Sequence, residues 1–458
     1  MTISRKKRQL FIACIDIIIL VSAVYLSLWL RDFQIPSTAR FMQHFSYFIP
    51  IIIVWVVCLY TAGFYSLEIY QTGYRMLSQL SIITVICTLF GFAFFYLNLG
   101  ARVLPKTILV IYGVVVVAMT AFWRWAYTRI TLKYFANTDI AFIGVNDTVI
   151  ELLNNMSNFS YMSYRVVFLY ADKLHDYQVN GIPVINDSAS FINEIKKNKI
   201  QMVVVANTEN LPNTTQDVLF ELLRNYVYFI NLPDFYEIFM RRIPLDAVNE
   251  QWFLTSVHLQ SKKIYRLVKQ TVDVAMAIIF LLITLPFWPF IILLIKIETP
   301  GPAFFMQKRT GYLGRPFTII KFRTMRIVGV GEGTQEPTGR DDSRVTKIGS
   351  FLRKTRIDEL PQFLNIIKAD MSFIGPRPER PELIQELERE VPFYRQRLLV
   401  KPGLSGWDQV SGEYHSPSRE DTYKKLQYDL YYIKNMSFFL DVSIFFKTLV
   451  TIVKRGGI

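Results

Sequence analysis

Ten consecutive residues, Arg353-Lys354-Thr355-Arg356-Ile357-Asp358-Glu359-Leu360-Pro361-Gln362, set two adjacent carboxylates directly behind three cations. Asp358 stands where a helix can start, with Pro361 in the first turn and Phe363, Leu364, Ile366 and Ile367 supplying an apolar face. Taken alone, the decapeptide fits an aspartate N-cap followed by a helix-favouring glutamate as well as it fits a reactive pair. The cations shift the balance, because three within five residues upstream exceed what a cap requires. A helix N-terminus attracts phosphate and keeps a nearby carboxylate ionised. An ionised Asp358 so placed can attack phosphorus and form an acyl-phosphate, while Glu359 beside it helps to hold Mg²⁺.

Two further clusters offer phosphate contacts. As a strand, Lys321-Phe322-Arg323-Thr324-Met325-Arg326 puts Lys321, Arg323 and Met325 on one face and Phe322, Thr324 and Arg326 on the other. In Pro376-Arg377-Pro378 the prolines fix the backbone on both sides of Arg377, which suits a guanidinium that meets phosphate oxygens in a bidentate way; a surface loop is the plainer alternative. Lys401-Pro402-Gly403-Leu404-Ser405-Gly406-Trp407 reads as a loop with special backbone angles. His44, His175, His258 and His415 are scattered, which argues against a zinc site or a histidine-centred triad. Cys14, Cys58 and Cys87 lie in apolar runs without ligand spacing, so no disulfide framework is expected.

The elements that position these residues belong to a membrane protein. Hydrophobic residues make up 52% and charged residues only 19% of 458 residues, and the mean hydropathy is +0.26. The net charge of +14 points to anionic lipid headgroups and cytoplasmic loops, and no nucleic-acid partner is expected. Apolar stretches at 10–30, 48–65, 80–97 and 107–127 each approach the ~20 residues that span a bilayer. Arg5, Lys6, Lys7 and Arg8 precede the first, and Arg124, Arg129 and Lys133 end the fourth, which places both ends in the cytoplasm.

Residues 138–250 read as an α/β domain: Ile140–Ile143 and 202–206 are buried strands and 148–156 a helix. Only Gly144 of a glycine-rich fingerprint is present, followed by Val145, Asn146 and Asp147, so a bound dinucleotide or nucleotide-sugar is the weaker reading of this domain. From 271 to 297 the chain is long and apolar enough to span, but Pro286 and Pro289 interrupt it. Lys262, Lys263, Arg266 and Lys269 precede it and Lys296, Lys308, Arg309 and Arg315 follow it. Positive charge on both flanks favours a helix that enters the membrane, bends at Pro286 and returns, over a kinked fifth span. The apolar run 438–453 contains Asp441 and Lys447 and is read as interfacial.

In order, Thr299-Pro300-Gly301-Pro302, the Lys321–Met325 run, Asp358-Glu359-Leu360-Pro361-Gln362, Pro376-Arg377-Pro378 and Lys401-Pro402-Gly403 resemble the bacterial sugar transferase family, over roughly 262–458. These are monotopic polyprenyl-phosphate hexose-1-phosphate transferases, and the four spans and α/β domain ahead are similar to the large members that start O-antigen, capsule and exopolysaccharide repeats. The resemblance implies that Asp358 is the nucleophile, that Glu359 assists with Mg²⁺, that Arg377 contacts the nucleotide-sugar and that the kinked segment is re-entrant. It implies four transmembrane helices (1–137), a Rossmann-like domain (138–250), a re-entrant helix (262–297) and a mixed, mainly helical catalytic domain (298–458). Lys321, Arg323, Arg353, Arg356, Pro376, Arg377 and Pro378 are then the expected substrate-binding residues, and Asp358 and Glu359 the metal site. The expected partners are a UDP-sugar, with UDP-glucose or UDP-galactose foremost, undecaprenyl phosphate and membrane lipids, in the bacterial inner membrane with the catalytic domain cytoplasmic; the oligomeric reading leans to a homodimer. A non-catalytic scaffold of a polysaccharide assembly complex is the rival, and a nucleotide-dependent oxidoreductase a third reading. The chain departs from the family at Leu285-Pro286, where Ser-Pro is common, and at Asp408, where a small residue is expected.

Overall fold

The computed structural model describes residues 5–62, 64–65, 74–97, 106–134, 138–156, 164–171, 178–206, 227–326, 342, 344–411 and 418–455. His175 and His415 lie outside the described residues, as do the side chains of Arg5, Lys6, Lys7, Arg8 and Lys133. The chain divides into two compact units, Met1–Phe239 and Met240–Ile458.

The first unit opens with four apolar helices: α1 (Arg5–Asp32), α2 (Thr38–Thr61), α3 (Tyr74–Leu97) and α4 (Lys106–Tyr134). Each packs on the next, and α1 packs on α4, so the four close on themselves. Trp55, Phe48 and Tyr112 fill the interior edge to face, and a buried pair, Asp16 with Arg124 at 2.5 Å, joins α1 to α4. By length and composition α1, α2 and α4 can cross a membrane, whereas the apolar part of α3, Leu80–Tyr96, is shorter. Four apolar helices of this kind mark a membrane protein.

An open sheet follows, built from β1 (Thr138–Ile143), β2 (Tyr164–Tyr170), β3 (Gln178–Val179), β4 (Ile182–Ile185), β5 (Met202–Val205) and β6 (Tyr228–Asn231) in the order β3-β4-β2-β1-β5-β6. All its pairings are parallel except β3 with β4, a hairpin whose Asn180 and Gly181 both take positive φ, as a tight primed turn requires. Helices α5 (Asp147–Met156), α6 (Ser188–Asn198) and α7 (Leu232–Met240) flank the strands. β1 and β5 are buried along Ala141–Ile143 and Val203–Val205, which explains their unbroken apolar sequence.

The second unit begins earlier than the sequence suggests. Ile243 and Leu245 are buried in the C-terminal core, and Trp252 and Phe253 of α8 (Glu250–Ser256) pack against it. The boundary expected at 250 therefore lies near Met240, because these side chains find their apolar partners downstream. Next come α9 (Lys263–Thr284), a 3-10 turn (Leu285–Phe287) holding Pro286, and α10 (Trp288–Glu298). The break falls where proline removes a helix donor, and Thr284 Oγ donates back to the carbonyl of Phe280 at 2.8 Å, which favours bending.

A hairpin, β7 (Phe304–Thr310) with β8 (Pro316–Phe322), leads to α11 (Lys347–Thr355), a 3-10 turn (Ile357–Gln362) and α12 (Phe363–Ile367). β9 (Ser372–Ile374) pairs in parallel with β10 (Gly403–Ser405). Between those strands lie α13 (Pro381–Glu390) and a 3-10 turn (Tyr394–Leu399); after them come α14 (Trp407–Val410), α15 (Arg419–Asn435) and α16 (Phe438–Arg455). Both limbs of the broken helix serve this unit. Ala277 of α9 packs with Phe363, Ile366 and Met371, while Trp288 and Ile295 of α10 pack with Phe322 and Leu352.

Candidate active site

Asp358 and Glu359 are buried neighbours in the 3-10 turn 357–362, and their surroundings differ. Glu359 Oε1 lies 2.7 Å from Lys321 Nζ, 3.1 Å from Arg377 Nη2 and 3.7 Å from Arg356 Nη1. Burial opposes its ionisation, but these cations together outweigh burial and hold the carboxyl well below the usual glutamate range. Asp358 Oδ1 is buried with no hydrogen-bond partner. Burial, and then the charge of Glu359, push its carboxyl up, against the pull of Lys321, Arg356 and Arg353. Chain neighbours are thus split into a fixed anion and a carboxylate with higher proton affinity and an open oxygen.

Several sequence expectations change here. Asp358 is not an N-cap: that position belongs to Arg356, in the left-handed region at φ 60. The helix whose positive end was to keep Asp358 ionised is a short 3-10 turn running into a five-residue helix, and the side-chain cations near Asp358 pull against burial without reversing its upward shift. Lys321 and Arg323 do not point together, because β8 ends at Phe322 and the alternation ends with it. Arg323 instead donates to the carbonyls of Pro300 and Thr299 at 2.8 and 2.7 Å, tying down the exit from α10. Nor does the Lys401–Trp407 segment use left-handed glycines; Gly406 has φ −123, and Gly403 lies in β10. Its glycines serve close approach, since a Cβ on Gly403 would run into the Gly375 backbone.

Each remaining group is carried by an identifiable element. Lys321 projects from β8, which the side chain of Asn365 holds: its Nδ2 donates to Thr318 O at 2.7 Å and its Oδ1 accepts from Ile320 N at 3.2 Å. This buried asparagine was missed in the sequence, where a polar residue inside the apolar run 363–367 was the available signal. Arg353 leaves the last turn of α11 with its Nε on Thr324 Oγ at 2.9 Å. The N-terminus of α11 is held by Glu298, whose carboxylate accepts from Lys347 N and Ile348 N at 2.6 and 3.0 Å. Arg377 extends from the Pro376–Pro378 segment with 37% of its side chain exposed. Beside it lies a small, partly open depression lined by Thr310, Pro376, Arg377, Pro378, Arg397 and Pro402, among others.

Two carboxylates ringed by four cations suit an anionic substrate and a nucleophilic step at phosphorus. Of the pair, Asp358 offers an unbonded oxygen that Mg²⁺ could use, while Glu359 is already ion-paired three times. Among the described residues no group of three or more His, Cys, Asp or Glu could hold a metal, so substrate oxygens and water would complete the shell, as is usual for this ion.

Comparison with known proteins gives the family of the chain. The bacterial sugar transferase family matches residues 264–455, and a CoA-binding domain family matches residues 60–227. Over 47% of its length the chain is 43% identical to a UDP-N-acetylgalactosamine-undecaprenyl-phosphate N-acetylgalactosaminephosphotransferase of Aeromonas hydrophila, covering 50% of that protein. Over 68% of its length it is 30% identical to the UDP-glucose:undecaprenyl-phosphate glucose-1-phosphate transferase of Xanthomonas campestris pv. campestris, covering 66% of it. Over 42% of its length it is 38% identical to an uncharacterized sugar transferase of Bacillus subtilis (strain 168), covering 90% of it. The chain thus spans between half and two thirds of the two larger relatives. It belongs to the bacterial sugar transferase family.

Proposed function

We propose that the chain transfers a sugar-1-phosphate from a UDP-sugar to undecaprenyl phosphate, releasing UMP, through a covalent aspartyl intermediate. The observation that carries this reading is the unbonded, buried Oδ1 of Asp358 next to a glutamate already neutralised by Lys321, Arg377 and Arg356. The ionised Asp358 oxygen attacks the sugar-bearing phosphorus, the bond to the UMP oxygen breaks, and an acyl-phosphate remains on the enzyme. The phosphate oxygen of the polyprenyl acceptor then attacks the same phosphorus and Asp358 leaves as carboxylate. Arg377, Arg353 and Arg356 face the charge that spreads over the transferring group, and Lys321 keeps Glu359 in place. Asp358 and Glu359 are the residues that would hold Mg²⁺, which when bound would neutralise diphosphate oxygens. Arg323 serves the site by fixing the turn at Thr299 and Pro300.

The donor is a UDP-hexose or UDP-N-acetylhexosamine, the classes named in the relatives from Xanthomonas and Aeromonas. The reaction runs at the cytoplasmic face of the bacterial inner membrane and opens a surface polysaccharide. We read α9 and α10 as a re-entrant membrane helix. Support comes from cations on both flanks and from the packing of both limbs against the same catalytic layer, at Phe363 and at Phe322. The middle domain is read as Rossmann-like, with Gly144 at φ 89 ending β1 and no second glycine in the turn. Membranes incubated with a panel of labelled UDP-sugars and undecaprenyl phosphate test the proposal: one sugar should enter the lipid with release of UMP, and absence of transfer from every donor defeats it.

A further inference from the structure

The segment that carries Arg377 is clamped at every carbonyl. Gly403 N donates to Pro376 O at 2.9 Å, Arg397 Nη2 to Arg377 O at 2.9 Å, Arg309 Nη1 to Pro378 O at 3.2 Å, and Thr310 N to Glu379 O at 2.9 Å. Pro376 and Pro378 have no N–H, so the usual way of anchoring a backbone through its own donors is closed there. Two of the four clamps come from guanidinium groups on other elements, and Arg397 is the deeper of them, only 5% exposed. It also pairs with buried Asp429 of α15 at 2.9 Å and bonds and stacks on Tyr394. A guanidinium placed only to satisfy a core would not need to reach the carbonyl of Arg377, whose side chain is one of the three cations that meet Glu359.

We propose that Arg397, anchored by Asp429, is a positioning residue that aims Arg377 into the active site through Arg377's own carbonyl. The inference rests on Arg377 contacting the donor phosphates, as under the proposed function. Nη2 of Arg397 meets both the Arg377 carbonyl and the Asp429 carboxylate while Nη1 donates to Tyr394 Oη, a planar two-nitrogen arrangement that a lysine ammonium does not reproduce.

The test is a double-mutant cycle read by the single-turnover rate of sugar-phosphate labelling, together with hydrogen exchange at 375–380. Arg397→Gln should slow labelling on the order of 10²-fold, the cost of misplacing a reacting group by about an ångström. In an Arg377→Ala background the same change should cost less than about 3-fold, because neighbours acting through one another are non-additive. Exchange at 375–380 should rise while that of 347–355 stays unchanged. An equal loss in both backgrounds overturns the proposal. If Arg397→Gln does not fold, Asp429→Asn, nearly isosteric, takes its place; unchanged labelling and exchange in that variant also overturn it. A wild type that transfers no sugar defeats the proposed function instead, and the exchange data still decide the clamp.

Discussion

Glu359 sits among three cations, and its charge is felt by Asp358. Removing the glutamate charge frees Lys321, Arg356 and Arg377 to act on the aspartate alone. Because burial and Glu359 raise the Asp358 carboxyl, the acid limb of the labelling rate should lie above the ordinary aspartate value of 3.8. The sign follows directly: a raised carboxyl is protonated at higher pH, and only its ionised form attacks. Glu359→Gln should slow labelling and move that limb to lower pH, and a limb that stays or rises contradicts this electrostatic account. Asp358→Asn should abolish hydroxylamine-sensitive labelling while leaving the fold intact, since an amide cannot form the acyl-phosphate. Wild-type transfer by that variant would return Asp358 to a structural role. Chelation of divalent cations should likewise stop labelling, with Mg²⁺ restoring it.

At the scale of elements, the proposed return of the broken helix would set where the chemistry sits. α9 is 22 residues long and α10 11, and with the turn at Pro286 between them they form one apolar helical run long enough to cross a membrane. The flanking charge, rather than the length, therefore argues for a return. Cysteines replacing Ser261 and Lys308, in a background without Cys14, Cys58 and Cys87, should both be labelled only from the cytoplasmic side. Labelling of position 308 from the periplasm means a full span. Pro286 and the flanking cations were legible in sequence because a missing donor and loop charge are local properties. The capping of α11 by Glu298 was not legible, since its partners, Lys347 and Ile348, lie 49 and 50 residues away.

For the whole molecule, the relevant boundary is the one near Met240. Ile243 and Leu245 are buried in the C-terminal core, where full burial of such a side chain contributes roughly 1.5–3 kcal/mol, and Trp252 and Phe253 pack partly buried against it. A chain beginning at Met240 should remain folded in membranes and retain labelling, whereas one beginning at Lys262 should lose several kcal/mol and unfold at markedly lower temperature. Deletion of 138–239 with a suitable linker should reduce stability or assembly more than turnover. Complete loss of turnover in a folded, inserted deletion would give the middle domain a part in the chemistry.

The apolar spans, the α/β alternation and the Asp358-Glu359 pair are determined by sequence, because hydrophobic period, proline and adjacent chemical groups act over a few residues. Even at the pair, however, sequence put the favourable positive charge at Asp358 through a helix end, whereas the fold gathers the cations on Glu359. That reversal depends on Lys321 and Arg377, brought from 38 and 18 residues away. Arg323 is likewise drawn off toward Thr299, and Arg397 and Asp429 meet only across packed elements. Charge in a buried site is set by which groups share the low-dielectric space, and tertiary packing alone chooses them.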